Sequence, residues 1–490
     1  MTKQQINHRA SGVLMPVSSL PGPYGTGTLG KEACAFIDLL KRGGFSYWQI
    51  LPLNEPDECH SPYKSASAFA CNPLLIDLED LAARGLLLPE ELAAARTEGP
   101  YRCAFDFLAE THLPLLRKAF ACVDGAMAAE IEQFQKENPW AVEYAAFKEL
   151  KGVNRDAPWR EWAALAPLTG DAAFYVFLQY IFFSQWDALK TYANDAGVKL
   201  IGDMPFYVSE DSADVYFHKE IFQLDARGVM TAEAGVPPDY FSADGQNWGS
   251  PLYDWDALQA SGYAWWIDRI RFSLRMFDKV RVDHFRAFAD YWAIPAGGKA
   301  VDGAWCKGPG MTFFNALTAR VPAPGIIAED LGDIDAAVVQ LLEATGFPGM
   351  RVWQFGFSGD KDNPHLPYNY ISHTVAYTGT HDNNTLLGWL WELPEDVREQ
   401  ALQYCGFSGN DWGDGGAYAP ALRAMLRALY QSVAELIIVP MQDLCGFGAD
   451  TRMNTPGSVE NNWAWRVTEE QLAGIDWDGF RDMGKLYGRG

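Results

Sequence analysis

The stretch KVRVDHFR, residues 279–286, combines the alternation of a β-strand with a density of charge that is rare in protein cores. Val280 and Val282 alternate with Arg281 and Asp283, so an extended chain places the two valines on one face and the two charged residues on the other. The apolar face predicts a buried strand, and the charged face predicts that the strand ends at a polar site. We therefore expect the valines to face an outer layer of helices, and Arg281 and Asp283 to face a cleft.

Seven further runs of similar length and β-rich composition lie along the chain, and helical patterns precede most of the next runs. Together with 279–285, the strand-like runs are 12–18, 47–53, 198–205, 325–331, 349–355, 374–380 and 435–441. The helical patterns cover 31–42, 171–196, 262–277, 311–320, 333–344, 385–391 with 396–404, and 420–434. Eight strands that alternate with helices predict the α/β class and a (β/α)8 TIM barrel, which also explains how 490 residues can rest on one core.

Two intervals between these strands are much longer than a simple βα unit. Residues 54–170 open with a loop and continue as mainly helical sequence, whereas residues 206–261 are aromatic and rich in Gly and Pro. Each interval follows a strand, the second and the third, so both insertions would lie at the C-terminal face, where barrel enzymes place their active sites. We expect one catalytic barrel over 1–490, a helical subdomain at 54–170, and a loop-rich insertion at 206–261 over the active site.

The composition favours a neutral or cationic ligand. A formal net charge of -24 opposes binding to nucleic acid and to anionic membrane surfaces. No apolar run approaches the roughly 20 residues of a membrane helix, and the first residues contain no apolar signal segment, so we expect a cytoplasmic protein. Aromatic residues make up 14% of the chain, and many lie beside amides and carboxylates, which suits sugars, although large rings also fill a large core.

The cysteines point to free thiols in a reducing compartment. The chain has eight of them, scattered singly, with no C-x-x-C pair and no histidine spacing of the zinc type. The sequence therefore predicts neither a disulfide framework nor a structural zinc site.

Acidic residues stand at the ends of four predicted strands, two of them next to a histidine. They are Asp203, Asp283 beside His284, Glu329, and Asp382 beside His381. Arg281 should hold Asp283 ionised, whereas the apolar surroundings of Glu329 should preserve its proton. Two such carboxyls perform retaining glycoside chemistry when they are about 5–5.5 Å apart.

Two other uses of these residues remain open at this point. The same acids and histidines could hold a divalent ion, although the first strand has no H-x-H and the chain has no carboxylate-rich calcium loop. The run GPYGTGTLG, residues 22–30, contains G-x-G but lacks both the Lys-Ser/Thr of a P-loop and the βαβ context of a dinucleotide site.

Several longer motifs follow one another in a fixed order along nearly the whole chain. They include GVLMPVSSLPGPYGTGTLG (12–30), SPYKSASAFACNPLLIDL (61–78), GDMPFYVSEDSADVY (202–216), PPDYFSADGQNWGSPLYDW (237–255), VRVDHFRAF (280–288), IIAEDLG (326–332), YTGTHDNNT (377–385) and RMNTPGSVENNWAWR (452–466). In these motifs the sequence resembles the 4-alpha-glucanotransferases of the amylomaltase or disproportionating-enzyme type, glycoside hydrolase family 77 in the α-amylase clan.

The resemblance implies a role for each member of the candidate site. Asp283 would be the nucleophile, Glu329 the acid and base, and Asp382 the residue that stabilises the transition state through the sugar hydroxyls. Arg281, His284, His381, Asp203, Tyr63 and Ser61 would support the donor sugar. Tyr240, Phe241, Gln246, Trp248 and Gly249 would bind glucan from a loop over the cleft, with Asn454 and Pro456 completing the wall.

The resemblance also implies the reaction and its partners. A malto-oligosaccharide or α-1,4-glucan donor would pass a segment, with retention of configuration, to the 4-hydroxyl of glucose or another glucan, as in maltodextrin, starch and glycogen metabolism. No metal or organic cofactor is implied, and we expect a monomer or a weak homo-oligomer. A hydrolase of the same chemistry and a non-catalytic carbohydrate-binding protein are the alternatives to test.

Overall fold

The computed structural model describes residues 9–162, 170–238 and 244–490. Within them the strands are β1 (Ala10–Leu14), β2 (Tyr47–Gln49), β3 (Lys199–Met204), β4 (Ala232–Val236), β5 (Gln246–Pro251), β6 (Lys279–Val282), β7 (Asp290–Pro295), β8 (Ala304–Lys307), β9 (Ile326–Ala328), β10 (Gly349–Val352), β11 (Thr374–Tyr377) and β12 (Leu436–Pro440). Eight of them form a sheet in the order β10-β11-β12-β1-β2-β3-β6-β9, and every neighbouring pair is parallel.

The two edges of this sheet meet. The amide of Ala328 in β9 donates to the carbonyl of Pro348, the residue before β10 begins at Gly349, at 2.9 Å. Seven of the eight predicted runs contain one of these strands, and the run 12–18 overlaps β1, which begins two residues earlier at Ala10. The predicted (β/α)8 barrel is therefore confirmed.

Helices surround the barrel. The α-helices of the described residues are α1 (Lys31–Arg42), α2 (Leu78–Ala83), α3 (Phe105–Ala121), α4 (Gly125–Glu137), α5 (Pro139–Val153), α6 (Ala172–Ala196), α7 (Ala213–Phe217), α8 (Trp255–Ala260), α9 (Ala264–Met276), α10 (Gly310–Arg320), α11 (Ala336–Thr345), α12 (Leu386–Glu392), α13 (Glu395–Tyr404), α14 (Pro420–Gln431), α15 (Met441–Cys445), α16 (Glu469–Ala473) and α17 (Trp477–Leu486). An α-helix thus lies in every connection between successive barrel strands except that from β10 to β11, which has only two short 3-10 helices, Trp353–Phe355 and Pro367–Asn369, and where the sequence has no helical pattern. None of these helices has the length and apolar character needed to cross a membrane.

Alternation along the strands divides the core into two layers. Val280 and Val282 of β6 belong to the outer layer, which packs the barrel against its helices, whereas Ile201, Ile327 and Tyr377 belong to the layer inside the barrel. Arg281 points to the inner side and is 3% exposed. The strand that opens the sequence analysis therefore divides its side chains as its alternation predicts.

A second sheet, of four antiparallel strands, was not predicted from the sequence. Its order is β5-β4-β7-β8, so two strands come from the segment between β3 and β6 and two from the segment between β6 and β9. In one register pair, Trp292 of β7 lies opposite Trp305 of β8. Because its strands are separated in sequence by a barrel strand and are only partly buried, the alternation of any one of them is a weak signal.

Candidate active site

A cleft of about 450 Å³ opens at the carboxyl ends of the barrel strands. Twelve of the predicted site residues line it: Asp283, Glu329, Asp382, Arg281, His284, His381, Tyr63, Ser61, Gln246, Trp248, Asn454 and Pro456. The ends of β6, β9 and β11 deliver the three carboxylates to it, because parallel barrel strands end around one mouth.

Arg281 links two carboxylates at the floor of the cleft. Its Nη1 donates to both oxygens of Asp203, at 2.7 and 2.8 Å, and its Nη2 donates to Asp283 Oδ1 at 2.8 Å. The side chains of Arg281 and Asp203 are 4% and 0% exposed, whereas that of Asp283 is 31% exposed. Arg281 and Asp203 are thus fixed below the cleft, and the Asp283 carboxylate reaches the open space with a cation beside it.

Tyr63 connects Asp203, below the cleft, with His381 in the cleft lining. Its hydroxyl donates to Asp203 Oδ2 at 2.9 Å and lies 3.3 Å from His381 Nδ1, and its ring stacks on the His381 ring at 4.9 Å. Trp463 lies 5.8 Å from Tyr63 and 5.9 Å from His381 between ring centroids. These three rings form one packed group, which holds the orientation of His381.

Asp382 is held ionised. Burial would raise the pKa of this carboxyl, but His381 Nε2 at 3.2 Å and the Asn454 amide at 2.7 Å bring the pKa down to about 2. Burial by itself would lower the pKa of the His381 imidazole. The adjacent Asp382 charge outweighs this effect, so the pKa of His381 is raised. The pair therefore favours an imidazolium beside a carboxylate.

Glu329 has the opposite character. Burial raises the pKa of this carboxyl to about 7, with Arg281 opposing the rise and the Asp283 charge adding to it. Its two oxygens accept 2.7 Å hydrogen bonds from the amides of His284 and Leu331, which fix the carboxyl plane. At neutral pH Glu329 can therefore either give or take a proton.

His284 turns the chain at the end of β6. Its φ of 47° places it in the left-handed region, and its amide reaches Glu329 from there. The ring packs edge-on against Trp248 at 4.9 Å, and burial lowers the pKa of the imidazole to about 4. Its Nε2 has no hydrogen-bond partner among the described residues, so a neutral ring nitrogen is left in the cleft wall.

The remaining predicted residues lie away from the lining. Asp203 lies beneath it, in contact with Arg281 and Tyr63. Gly249 is on β5 with a φ of 62°, a conformation that suits glycine, and it does not line the cleft. Tyr240 and Phe241 fall outside the described residues.

Other residues of the lining were not among the predicted site. Arg286, Trp305, Phe355, Asn383 and Trp463 are the main ones. Arg286 was visible in the opening motif but was left outside the predicted site, and Trp305 lies on a strand that was not predicted. No group of three or more histidines, cysteines or acids among the described residues is arranged to hold a metal ion.

Comparisons with known proteins give one consistent result. A family model described as 4-alpha-glucanotransferase matches residues 15–472. The 4-alpha-glucanotransferase of Thermus thermophilus is 42% identical over 487 residues, 95% of this chain and 96% of that protein. That of Synechocystis sp. is 40% identical over 99% of both chains. The solved structure of an amylomaltase from Streptococcus agalactiae in complex with acarbose matches with a TM-score of 0.94 and 38% identity, over 98% of this chain and 100% of that one.

Proposed function

Because the chain belongs to the 4-alpha-glucanotransferase family, we propose that Asp283 is its nucleophile, Glu329 its general acid and base, and Asp382 the carboxylate that stabilises the transition state. The protein transfers a segment of an α-1,4-glucan or malto-oligosaccharide to a hydroxyl of glucose or another glucan, with retention of configuration. The observation that carries the residue roles is the contrast between two carboxyls, one paired with Arg281 and one buried with a raised pKa.

In the first step the donor is cleaved. An oxygen of Asp283 attacks the anomeric carbon while the bond to the leaving sugar oxygen breaks, and Glu329 gives its proton to that oxygen. The products are an ester between Asp283 and the glucan segment, and a free sugar with a 4-hydroxyl. The raised pKa of Glu329, about 7, keeps the proton available at neutral pH.

In the second step Glu329, instead of Asp283, carries the negative charge. The ester removes the negative charge of Asp283, and that charge is one of the causes that raise the pKa of Glu329. The pKa of Glu329 therefore falls in the intermediate, which suits a base. Glu329 takes the proton from the acceptor hydroxyl, the acceptor oxygen bonds to the anomeric carbon, and Asp283 leaves as a carboxylate.

The other residues support the sugar between these two carboxyls. We propose that Asp382 accepts hydrogen bonds from the hydroxyls of the sugar whose anomeric carbon becomes positively charged, with its own charge secured by His381 and Asn454. The unpartnered Nε2 of His284 would meet a further hydroxyl. Arg281, Asp203 and Tyr63 hold this geometry from below.

The insertions account for transfer in preference to hydrolysis in this proposal. Trp248 and Gln246 line the cleft, and the Trp248 indole donates to the Gln246 side chain at 3.1 Å. With Tyr240, Phe241 and Gly249 they would hold glucan over the ester and reduce its contact with water. The segment 206–261 would act as this cover, and the mainly helical segment 54–170, which contributes Ser61 and Tyr63, as a buttress of the 1–490 barrel.

Cofactors, assembly and compartment belong to the same proposal. The two carboxyls and their partners supply every proton and bond of the reaction, so we propose an enzyme that needs no metal or organic cofactor. The eight cysteines are free, which fits a reducing compartment such as the cytoplasm. We also propose a monomer or a weak homo-oligomer that binds neither nucleic acid nor membranes, in keeping with the charge of -24.

Incubation with maltotriose tests the proposed function. We expect glucose together with maltopentaose and longer oligomers, while the concentration of reducing ends stays nearly constant. Asp283→Asn should lower turnover by about four orders of magnitude, because an amide cannot form the ester, while maltotriose still binds. Asp302→Asn, on the exposed surface, is the matched control and should keep full turnover. A steady rise in reducing ends would identify a hydrolase, and an active Asp283→Asn variant would remove the nucleophile assignment.

A further inference from the structure

We propose that Trp305, backed by Arg286, is the platform on which the acceptor sugar stacks. The inference rests on the proposed role of Glu329, because that role decides which side of the cleft receives the acceptor. Neither residue belongs to the set that the sequence singled out for the site.

The acceptor side is the side of Glu329. The leaving sugar takes its proton from Glu329, and the acceptor later occupies the same place when it returns a proton to the same carboxyl. Leu331, Gly332 and Asp333, which directly follow the Glu329-Asp330 pair in the chain, line this part of the cleft. In the proposed function the part of the lining around Tyr63, His381 and Asp382 belongs to the donor side.

Arg286 is anchored to this acceptor side. Its Nη1 donates to the carbonyl of Asp333, and its Nη2 lies 3.0 Å from Asp335 Oδ2 and 2.9 Å from Asp290 Oδ1. Arg286 is 6% exposed, and its Nε has no hydrogen-bond partner among the described residues. A guanidinium held by two carboxylates and a carbonyl is a rigid support.

Trp305 covers this support and faces the cleft. The guanidinium carbon of Arg286 lies 3.8 Å from the centroid of the Trp305 ring, a stacked cation–π contact. Trp292, opposite in the β7–β8 pair, meets the ring at 5.1 Å and 69°, so the indole is also held from the side. Yet Trp305 remains 39% exposed and lines the cleft.

A fixed, exposed indole at the edge of a sugar cleft has a specific use. The C–H face of a glucose ring packs on an aromatic face, while its hydroxyls stay in water or reach polar side chains. Such a platform would orient the acceptor so that its 4-hydroxyl points at Glu329 and the ester. The ligand class is therefore a neutral glucosyl unit at the non-reducing end of the acceptor.

The experiment separates the two half-reactions. With 4′-deoxy-α-maltosyl fluoride as donor, which lacks the non-reducing 4-hydroxyl and so cannot act as acceptor, fluoride release into water requires the ester but no acceptor sugar, whereas oligomer formation requires glucose as acceptor. Trp305→Ala should raise the KM for glucose by about tenfold, because one aromatic contact is lost. Trp305→Phe should keep most of the affinity, because a ring remains.

A second readout and a control variant make the test decisive. Fluoride release without glucose should change by less than about twofold in Trp305→Ala, since the attacking water needs no platform. Tyr418→Ala, an exposed aromatic residue (67%) that does not line the cleft, should keep the wild-type KM. A KM for glucose unchanged in Trp305→Ala would overturn the proposal, as would an equal loss in both half-reactions. A wild-type enzyme that forms no glucose-dependent oligomers would instead refute the proposed function.

Discussion

Arg281 sets the charge balance of the cleft at the scale of a single residue. It binds Asp203 and Asp283 together, and its charge is also felt by Glu329, whose pKa it lowers against the stronger effect of burial. One buried cation therefore pairs with Asp283 and limits how far the pKa of Glu329 rises. A lysine could carry the charge but could not bind two carboxylates with the same planar fork.

The pH dependence of kcat/KM tests this balance. In the proposed mechanism Glu329 is protonated in the free enzyme, so kcat/KM should fall as pH rises through about 7, by tenfold per pH unit. Arg281→Gln removes a charge that lowers the pKa of Glu329, so the alkaline limb should move to higher pH, while kcat/KM falls by about 100-fold.

Arg281→Lys is the matched control for this experiment. It keeps the positive charge, so its alkaline limb should stay near the wild-type position although its kcat/KM is reduced. The same limb in Arg281→Gln and in the wild type would show that Arg281 does not act on Glu329 through its charge. The titration should be followed with maltotriose as substrate, at concentrations below KM.

The sequence predicted the positions of the three carboxylates better than those of the groups that contact them. The strand-end positions of Asp283, Glu329 and Asp382 follow from alternation and barrel topology alone. The link from Tyr63 to Asp203 spans 140 residues, and no local pattern encodes it. The contact between Arg286 and Trp305 likewise depends on β8, a strand that the sequence did not predict.

At the scale of elements, β3 and β6 form the part of the barrel that carries the charged floor. Their register places Asp203 directly opposite Arg281, and Gly202 opposite Val280. A Cβ at Gly202 would overlap the ring of the buried Phe277, so β3 can lie this close to its outer layer only with glycine at that position. Gly202 thus determines how closely β3 packs on Phe277 and where Asp203 lies relative to Arg281.

Gly202→Ala should disturb both the packing of β3 and the position of Asp203. We expect a loss of about 1–3 kcal/mol in the free energy of unfolding, since the added methyl must displace a buried ring. We also expect a reduced kcat with maltotriose, because Asp203 and Arg281 move with the strand. Chemical denaturation and steady-state kinetics of the same preparation measure the two effects.

Gly152→Ala provides the comparison. Gly152 lies within α5, and a Cβ there would meet nothing within 4 Å, so alanine should be neutral or stabilise the helix by up to about 1 kcal/mol. A Gly202→Ala variant as stable as this control would contradict the close approach of β3 and Phe277.

The second sheet shows why some elements escape a sequence analysis. β4 and β5 lie before the barrel strand β6, and β7 and β8 lie after it, so the sheet exists only once β6 is in place. Prediction of 206–261 as loop-rich sequence did not include β4 and β5, whose residues are partly exposed and include Gly235, Gly249 and Pro251. The barrel strands were predicted because each is mostly buried and has apolar residues on at least one of its faces.

On the scale of the whole molecule, the net charge of -24 acts on stability rather than on the substrate. Like charges repel in the compact state, whereas a glucan has no charge to attract or repel. Burial in the two layers of the core must therefore outweigh this repulsion. The charge also disfavours association between copies of the chain.

Added salt should change the stability of the protein without changing its affinity for the substrate. Raising NaCl from about 20 to about 500 mM shortens the range of electrostatic repulsion from tens of ångströms to a few, so Tm should rise by about 1–3 °C. The KM for maltotriose should stay constant over the same range. Differential scanning calorimetry and initial rates at each salt concentration provide the readouts, and a KM that changes severalfold would indicate a charged ligand.

The placement of the four-stranded sheet has an evolutionary consequence. Its outer strand carries Trp305 on the side of Glu329, while the opposite wall of the cleft comes from the segments around Tyr63, His381 and Asn454. The two walls are thus encoded by separate stretches of the gene. Substitution or exchange of residues 290–307 during evolution could therefore give related enzymes that accept different sugars, while the residues that cleave the donor stay unchanged.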